Sequence, residues 1–140
     1  MIVLDTNIVS EAMKPAPSEA VLLWLSSQEP FGIFVTAITQ AEMLYGVEAL
    51  ASGKRKQGLM TVTDKLFGEE GFQGRILSFD HESAREFAKI LAGCKAAGRP
   101  MSQFDAMIAA IARSHGATLA TRNTADFEHC GIRLINPWTA

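Results

Sequence analysis

Hydrophobic residues make up 48% and charged residues 20% of this 140-residue chain, which excludes a disordered or fibrous protein and predicts one globular domain over residues 1–140. The net charge of −2 excludes a broadly basic surface for nucleic acid, so an anionic substrate would need local basic groups or bound cations. No apolar run approaches the ~20 residues of a membrane helix, and the two cysteines lack a CxxC spacing, so we expect a cytoplasmic protein that meets no membrane.

The chain alternates predicted strands with predicted helices. Short apolar stretches predict β-strands at Ile2–Asp5, Gly32–Ile38, Arg75–Phe79, Ala117–Arg122 and Ile132–Ile135. Between them, apolar residues recur at helical spacing in Val21–Leu25, Ala41–Val47, Leu59–Leu66, Phe87–Cys94 and Met107–Ile111. Near-continuous apolar strands separated by helices predict a three-layer α/β/α sandwich with a central parallel sheet. Such sheets bind ligands at the carboxyl ends of their strands.

Acidic residues occur where the predicted strands end. Asp5 directly follows the first strand, where a buried carboxylate is costly unless something compensates it. Glu42 follows the second strand, Asp126 follows the fourth, and Asp105 begins the helix that leads into the fourth. Because these positions can converge on one edge of a parallel sheet, we expect the four carboxylates to lie together.

Helix capping is the alternative explanation for each acid taken singly. Ser102 and Asp105 fit the S/T-x-x-acid pattern of a capping box, and Thr39 with Glu42 fits it as well. Asp126 fits an N-cap or turn residue. The joint arrangement of the acids at strand ends, rather than any one of them, favours a shared site.

A shared acidic site predicts a bound cation. Two carboxylates about 4 Å apart repel each other by roughly 4 kcal/mol at an effective dielectric constant near 20, so several together favour either raised pKa values or a metal ion. Oxygen ligands favour Mg²⁺ or Mn²⁺, which position phosphate oxygens and activate water. The three histidines lie far apart in sequence and form no competing zinc motif. The predicted chemistry is phosphodiester hydrolysis.

The sequence resembles the PIN-domain ribonucleases, specifically the toxin subunits of VapBC-type toxin–antitoxin pairs, including the FitB-like branch. The likeness covers essentially the whole chain. It rests on the ordered motifs "VLDTNIVSE", "AITQAEMLYGV", "ILSFD", "FDAMIAAIA", "LATRNTADF" and "INPW".

The resemblance implies a metal-dependent endoribonuclease whose pocket uses Asp5, Glu42 and Asp105. The fourth acid comes from the "TRNTADF" segment, where relatives carry an acid at the position of Asn123 and this chain has Asp126 three residues later. We assign the fourth role to Asp126, leaving Asn123 as the other possible polar ligand. Asp5, Asp105 and Asp126 would hold the metal.

Other parts of the site and its partners also follow from the resemblance. Asn7 and Thr121 are assigned as supporting polar groups, together with Asn123. Asp80 is expected outside the pocket, as the cap of the helix that follows it. The family further implies a homodimer and a cognate antitoxin whose C-terminal segment covers the site.

Basic residues are the candidates for RNA contact. Arg122 adjoins the predicted rim and is the preferred substrate-binding residue, while Lys95 and Arg99 are scattered cations that could meet phosphates. The cluster Lys54–Lys56 is expected at a solvated helix start. Phe31 and four other phenylalanines have spacing typical of a core.

Three other functions are alternatives to the ribonuclease. A receiver-type signalling domain would need an acceptor Asp after a middle strand and a late Lys, and neither is evident. A phosphatase with a nucleophilic Asp5 would usually carry a second Asp where this chain has Asn7. The alternative from another class is a non-catalytic α/β interaction module that binds a basic peptide through the acidic pocket.

Overall fold

One or two α-helices separate each strand from the next, and the computed structural model describes residues 1–140. The strands are β1 (Ile2–Leu4), β2 (Ile33–Thr36), β3 (Ile76–Leu77), β4 (Thr118–Ala120) and β5 (Arg133–Ile135). The helices are α1 (Thr6–Ala12), α2 (Glu19–Ser26), α3 (Ala37–Glu48), α4 (Lys54–Phe67), α5 (His81–Ala96), α6 (Gln103–Ser114) and α7 (Thr124–Phe127). A short 3₁₀ helix covers Pro30–Gly32.

The five strands form one parallel sheet in the order β3-β2-β1-β4-β5. Ile2 of the central strand β1 pairs with Ile33 on one side and with Thr118 on the other. The chain first builds the sheet outward from β1 to β3 and then returns to add β4 and β5 on the opposite side. The order therefore reverses between β1 and β4, which is where parallel α/β sheets bind ligands.

Apolar side chains cover both faces of the sheet, because successive residues of a strand point to opposite sides. Val3 belongs to a core of 12 buried residues formed mainly with α5 and α6. Leu4 belongs to a second core of 8 buried residues on the side of α1 and α2. These two cores confirm the predicted three-layer sandwich.

Several predicted boundaries were wrong. All five strands are shorter than predicted, and Ile38 lies in α3 because Thr36 caps that helix and helical backbone begins at Ala37. The sequence patterns missed α1 and α7, which are too short to show a clear helical period. Phe31 was predicted in the core but is 81% exposed in the 3₁₀ segment.

Other local predictions were confirmed. Asp80 caps α5, since its Oδ1 accepts a hydrogen bond from the Ser83 backbone N–H at 2.9 Å. Cys94 and Cys130 are both buried free thiols. The basic run begins α4 at Lys54. Apart from these predictions, no helix is long and apolar enough to span a membrane.

Candidate active site

Asp5 lies at the reversal of strand order, between β1 and β4. Its backbone N–H extends the sheet by donating to the Ala120 carbonyl at 2.9 Å. Its side chain is also the N-cap of α1, because Oδ1 accepts from the Thr6 N–H at 2.8 Å. Only 5% of Asp5 is exposed. The cap therefore offsets part of the cost of burying this carboxylate.

Thr121 and Asn7 hold the second oxygen of Asp5. The buried Thr121 hydroxyl donates to Oδ2 at 2.8 Å, and the Asn7 amide donates to the same oxygen at 3.3 Å. The Thr121 oxygen in turn accepts the Asn123 backbone N–H at 3.1 Å. The three predicted supporting residues thus lie around Asp5, with Asn123 contributing its backbone to this network.

Thr6 links Glu42 to Asp5, because its hydroxyl contacts Glu42 while its backbone N–H donates to Asp5. The Thr6 hydroxyl donates to Glu42 Oε1 at 2.9 Å. Because its one proton is used there, the Thr39 hydroxyl is the donor in its 2.9 Å contact with Thr6. The Thr36 hydroxyl donates to Thr39 at 3.5 Å. Such chains of hydrogen bonds polarise one another and fix the orientation of their members.

The sequence interpretation of Thr39 as a helix cap was wrong. The N-cap of α3 is Thr36, whose hydroxyl accepts from the Thr39 N–H at 3.1 Å. Thr39 lies inside the helix, so Glu42 is not the return acid of a capping box. Sequence reasoning also missed Thr6 and Thr39 as parts of the site. The position of Thr6 beside Asp5 was the one signal that could have indicated it.

Asp105 occupies the first turn of α6. The Ser102 hydroxyl caps this helix by accepting the Asp105 N–H at 3.1 Å, as the capping pattern predicted. The Asp105 carboxylate, however, accepts no backbone hydrogen bond, so the reciprocal half of the capping box is not formed. That carboxylate remains available to a ligand.

Asp126 and its neighbours form the outer part of the site. Asp126 is the third residue of α7 and is exposed, whereas Asn123 takes the N-cap position without a side-chain hydrogen bond. The N-cap alternative for Asp126 was therefore wrong. The Arg122 guanidinium lies 4.9 Å from the centre of the Trp138 ring, a cation–π contact.

The carboxylates influence one another electrostatically. Burial raises the pKa of Asp5; the Thr121 and Thr6 hydrogen bonds oppose this shift, and the charges of Asp105 and Glu42 add to it. Burial likewise raises the pKa of Asp105, opposed by the Ser102 hydroxyl and reinforced by Asp126. The charges of Asp105 and Glu42 thus act on the region of Asp5, the charge of Asp126 acts on Asp105, and none of the four acids is in an ion pair.

A hydrated divalent cation fits this region. No three side chains among the His, Cys, Asp and Glu residues form a compact group that would enclose an ion unaided. Mg²⁺ usually keeps several waters and binds through one or two carboxylates together with substrate phosphates. The Asp5 and Asp105 carboxylates, with raised pKa values and no cationic partner, suit that mode of binding better than a closed protein cage.

The fold and site define a class of protein. A PIN domain family model matches residues 2–131, and the chain belongs to that family. Within the family, it is 41% identical over 140 residues to the VapC ribonuclease Y4jK of Sinorhizobium fredii, with 99% of this chain and 98% of the relative covered. It is 39% identical to the toxin FitB of Neisseria gonorrhoeae, with 99% of both chains covered.

A solved structure extends the similarity to three dimensions. The crystal structure of FitAcB from Neisseria gonorrhoeae superposes with a TM-score of 0.90 at 38% identity and covers 100% of both chains. The motifs that indicated a VapC-type toxin in the sequence therefore occur within the corresponding fold.

Proposed function

We propose that this protein is a metal-dependent endoribonuclease that acts as the toxin of a type II toxin–antitoxin pair. The observation that carries the proposal is the buried Asp5 carboxylate at the reversal of strand order, on which the charges of Asp105 and Glu42 act, while the charge of Asp126 acts on Asp105. Kinship with a ribonuclease and a toxin supports the same function.

Each acid has a proposed role. Asp5, Asp105 and Asp126 would hold Mg²⁺ or Mn²⁺, directly or through water. The bound ion supplies charge neutralisation at the scissile phosphate and a lowered pKa of coordinated water. Glu42 orients the attacking water and accepts its proton, and the Thr6 hydroxyl at 2.9 Å fixes the carboxylate for that task. Thr121 and Asn7 keep Asp5 aimed at the site.

The proposed partners follow from the same kinship. A cognate antitoxin would cover the acidic site, and a homodimer in the cytoplasm is the expected working form. A relative is named as a toxin, and the chain matches it over almost its full length. Co-expression with the antitoxin, followed by purification of the complex and measurement of its stoichiometry, would test this association.

Cleavage of a fluorescent single-stranded RNA tests the enzymatic proposal. The wild type is expected to cut it with Mg²⁺ or Mn²⁺ and to stop with EDTA. Asp105→Asn should lose at least about a hundredfold in rate, because it removes one metal-facing charge. Asp64→Asn, at an exposed acid of α4 outside the site, is the matched control. Tight binding of a basic peptide without cleavage under any metal would instead support the interaction module.

A further inference from the structure

A cleft lies between the C-terminal end of α5 and the beginnings of α6 and α7. It consists of two adjoining hollows of about 510 and 300 Å³, which share five lining residues, including Cys94, Arg99 and Met101. Asp126 and His129 line the smaller hollow. The α5–α6 cleft therefore reaches one of the acids of the proposed active site.

The larger hollow of the cleft differs in charge from the acidic site. Lys95 and Arg99 are the only charged residues that line the larger hollow. Both are exposed, and neither takes part in any of the four ion pairs of the structure. In a protein of net charge −2, two unpaired cations at one hollow favour an anionic occupant.

The backbone holds Arg99 in a fixed position. The chain leaves α5 through Gly98, which has a left-handed φ of 66°. The Gly98 N–H donates to the Lys95 carbonyl at 3.1 Å, and the Arg99 N–H donates to the Cys94 carbonyl at 2.9 Å. This helix-terminating turn anchors the base of the Arg99 side chain. The guanidinium itself donates no hydrogen bond within the protein.

The cleft also combines cations with an apolar lining. Leu91, Cys94 and Met101 line the larger hollow together with Lys95 and Arg99. A phosphate with a nucleoside attached matches this arrangement, since it presents charge at one end and, at the other, the flat face of a base that can pack against apolar side chains. Asp126 lines the smaller hollow, and its charge acts on Asp105. The cleft therefore adjoins the proposed place of cleavage.

We propose that the α5–α6 cleft is a subsite for single-stranded RNA. Lys95 and Arg99 hold a phosphate that neighbours the scissile one, and the apolar lining takes the attached nucleoside. This inference rests on the proposed ribonuclease function and adds to it the surface that positions the strand. Arg122, whose guanidinium lies on Trp138, is not part of this subsite.

Steady-state cleavage of a single-stranded RNA tests the subsite. Arg99→Ala and Lys95→Ala are each expected to raise KM about tenfold, with a smaller effect on kcat, because each removes a charge-assisted contact to phosphate. The slope of log affinity against log salt, measured in EDTA, should become shallower by about 0.7 for each cation removed. Arg99→Lys should recover most of the affinity. Arg85→Ala, at an exposed arginine of the same helix outside the cleft, is the matched control and should behave as wild type.

RNAs shortened stepwise from each end locate the occupied nucleotide. On one of the two flanks, removal of a single nucleotide should abolish the difference between Arg99→Ala and the wild type. The inference is overturned if both cleft variants bind and cut RNA as Arg85→Ala does, if their loss is the same for every shortened RNA, or if they lose affinity only for the antitoxin. A wild type that cuts RNA while the cleft variants remain unaffected refutes the subsite alone. A wild type that never cuts RNA refutes the proposed function.

Discussion

Asp105→Asn should stabilise the metal-free protein while it abolishes cleavage. The substitution keeps the size of the side chain and removes a charge that burial and the neighbouring Asp126 disfavour. The carboxylate accepts no backbone hydrogen bond that the amide would disturb. The folded protein therefore loses an unfavourable charge, while the amide oxygen can still accept the hydrogen bond of the Ser102 hydroxyl, the contact that opposes the raised pKa of Asp105.

The stability that Asp105→Asn gains over the wild type should increase with pH. Because the pKa of Asp105 is raised in the folded state, its neutral form is favoured by folding. Below the ordinary carboxyl pKa, the wild type and the variant should be about equally stable. As the pH rises through the raised pKa, the wild type loses stability that the variant keeps. Since Asp126 is exposed, repulsion between the two acids contributes only about 0.2–1 kcal/mol at neutral pH.

Urea unfolding in EDTA, from about pH 3 to 8, measures this difference. Asp64→Asn changes the net charge by the same amount, but its free energy of unfolding should not diverge from that of the wild type as the pH rises. Added Mg²⁺ at ten times its Kd should raise the free energy of unfolding of the wild type by about 1.4 kcal/mol and that of Asp105→Asn by much less. A variant that is less stable than wild type at neutral pH, or that gains equally from Mg²⁺, would refute the reasoning.

Four further substitutions test the supporting groups and the assignment of the fourth acid. Thr121→Val removes the 2.8 Å hydrogen bond to Asp5, a contact that lowers the pKa of that acid. The free energy of unfolding should therefore fall by about 1–3 kcal/mol, and the acid limb of the pH–activity profile should move to higher pH. An acid limb that does not move contradicts this role. Thr39→Val interrupts the hydroxyl row to Glu42 and should lower kcat more than it raises KM, as single-turnover assays would show; a pure KM effect counts against it. Asp126→Asn should reduce the cleavage rate at least about tenfold in the same assay, whereas Asn123→Ala should change it only severalfold. The reverse order would assign the role of the fourth polar ligand to Asn123.

Local sequence signals predicted much of the fold and part of the site. Alternating apolar stretches and helical spacing were sufficient for the parallel α/β/α architecture. The Ser102 cap and the Asp80 cap were readable because a cap depends on residues within one turn. The absence of any nearby cation in the sequence around Asp105 correctly indicated a carboxylate that is not consumed by local pairing.

Errors arose where the chain changes from one element to the next within a few residues. Thr36 and Thr39 both fit a cap, and sequence alone gave no reason to prefer the earlier one. Phe31 has core-like spacing, yet it lies in a 3₁₀ segment that leaves it exposed. At such positions, tertiary packing overrides the local pattern, because burial depends on what the rest of the chain places opposite the residue.

The sequence by itself determined which residues follow each strand, and it therefore indicated Asp5, Glu42, Asp105 and Asp126 as candidate site residues. Only the tertiary structure decided how they are held. The Thr121 hydroxyl reaches Asp5 across 116 residues because β4 pairs beside β1, and Thr6 reaches Glu42 across 36 because α1 and α3 meet at the same edge. Likewise, Arg122 lies on Trp138, while Lys95 and Arg99 line one cleft. These contacts depend on strand order and helix packing, which involve the whole chain at once and leave no local mark in the sequence.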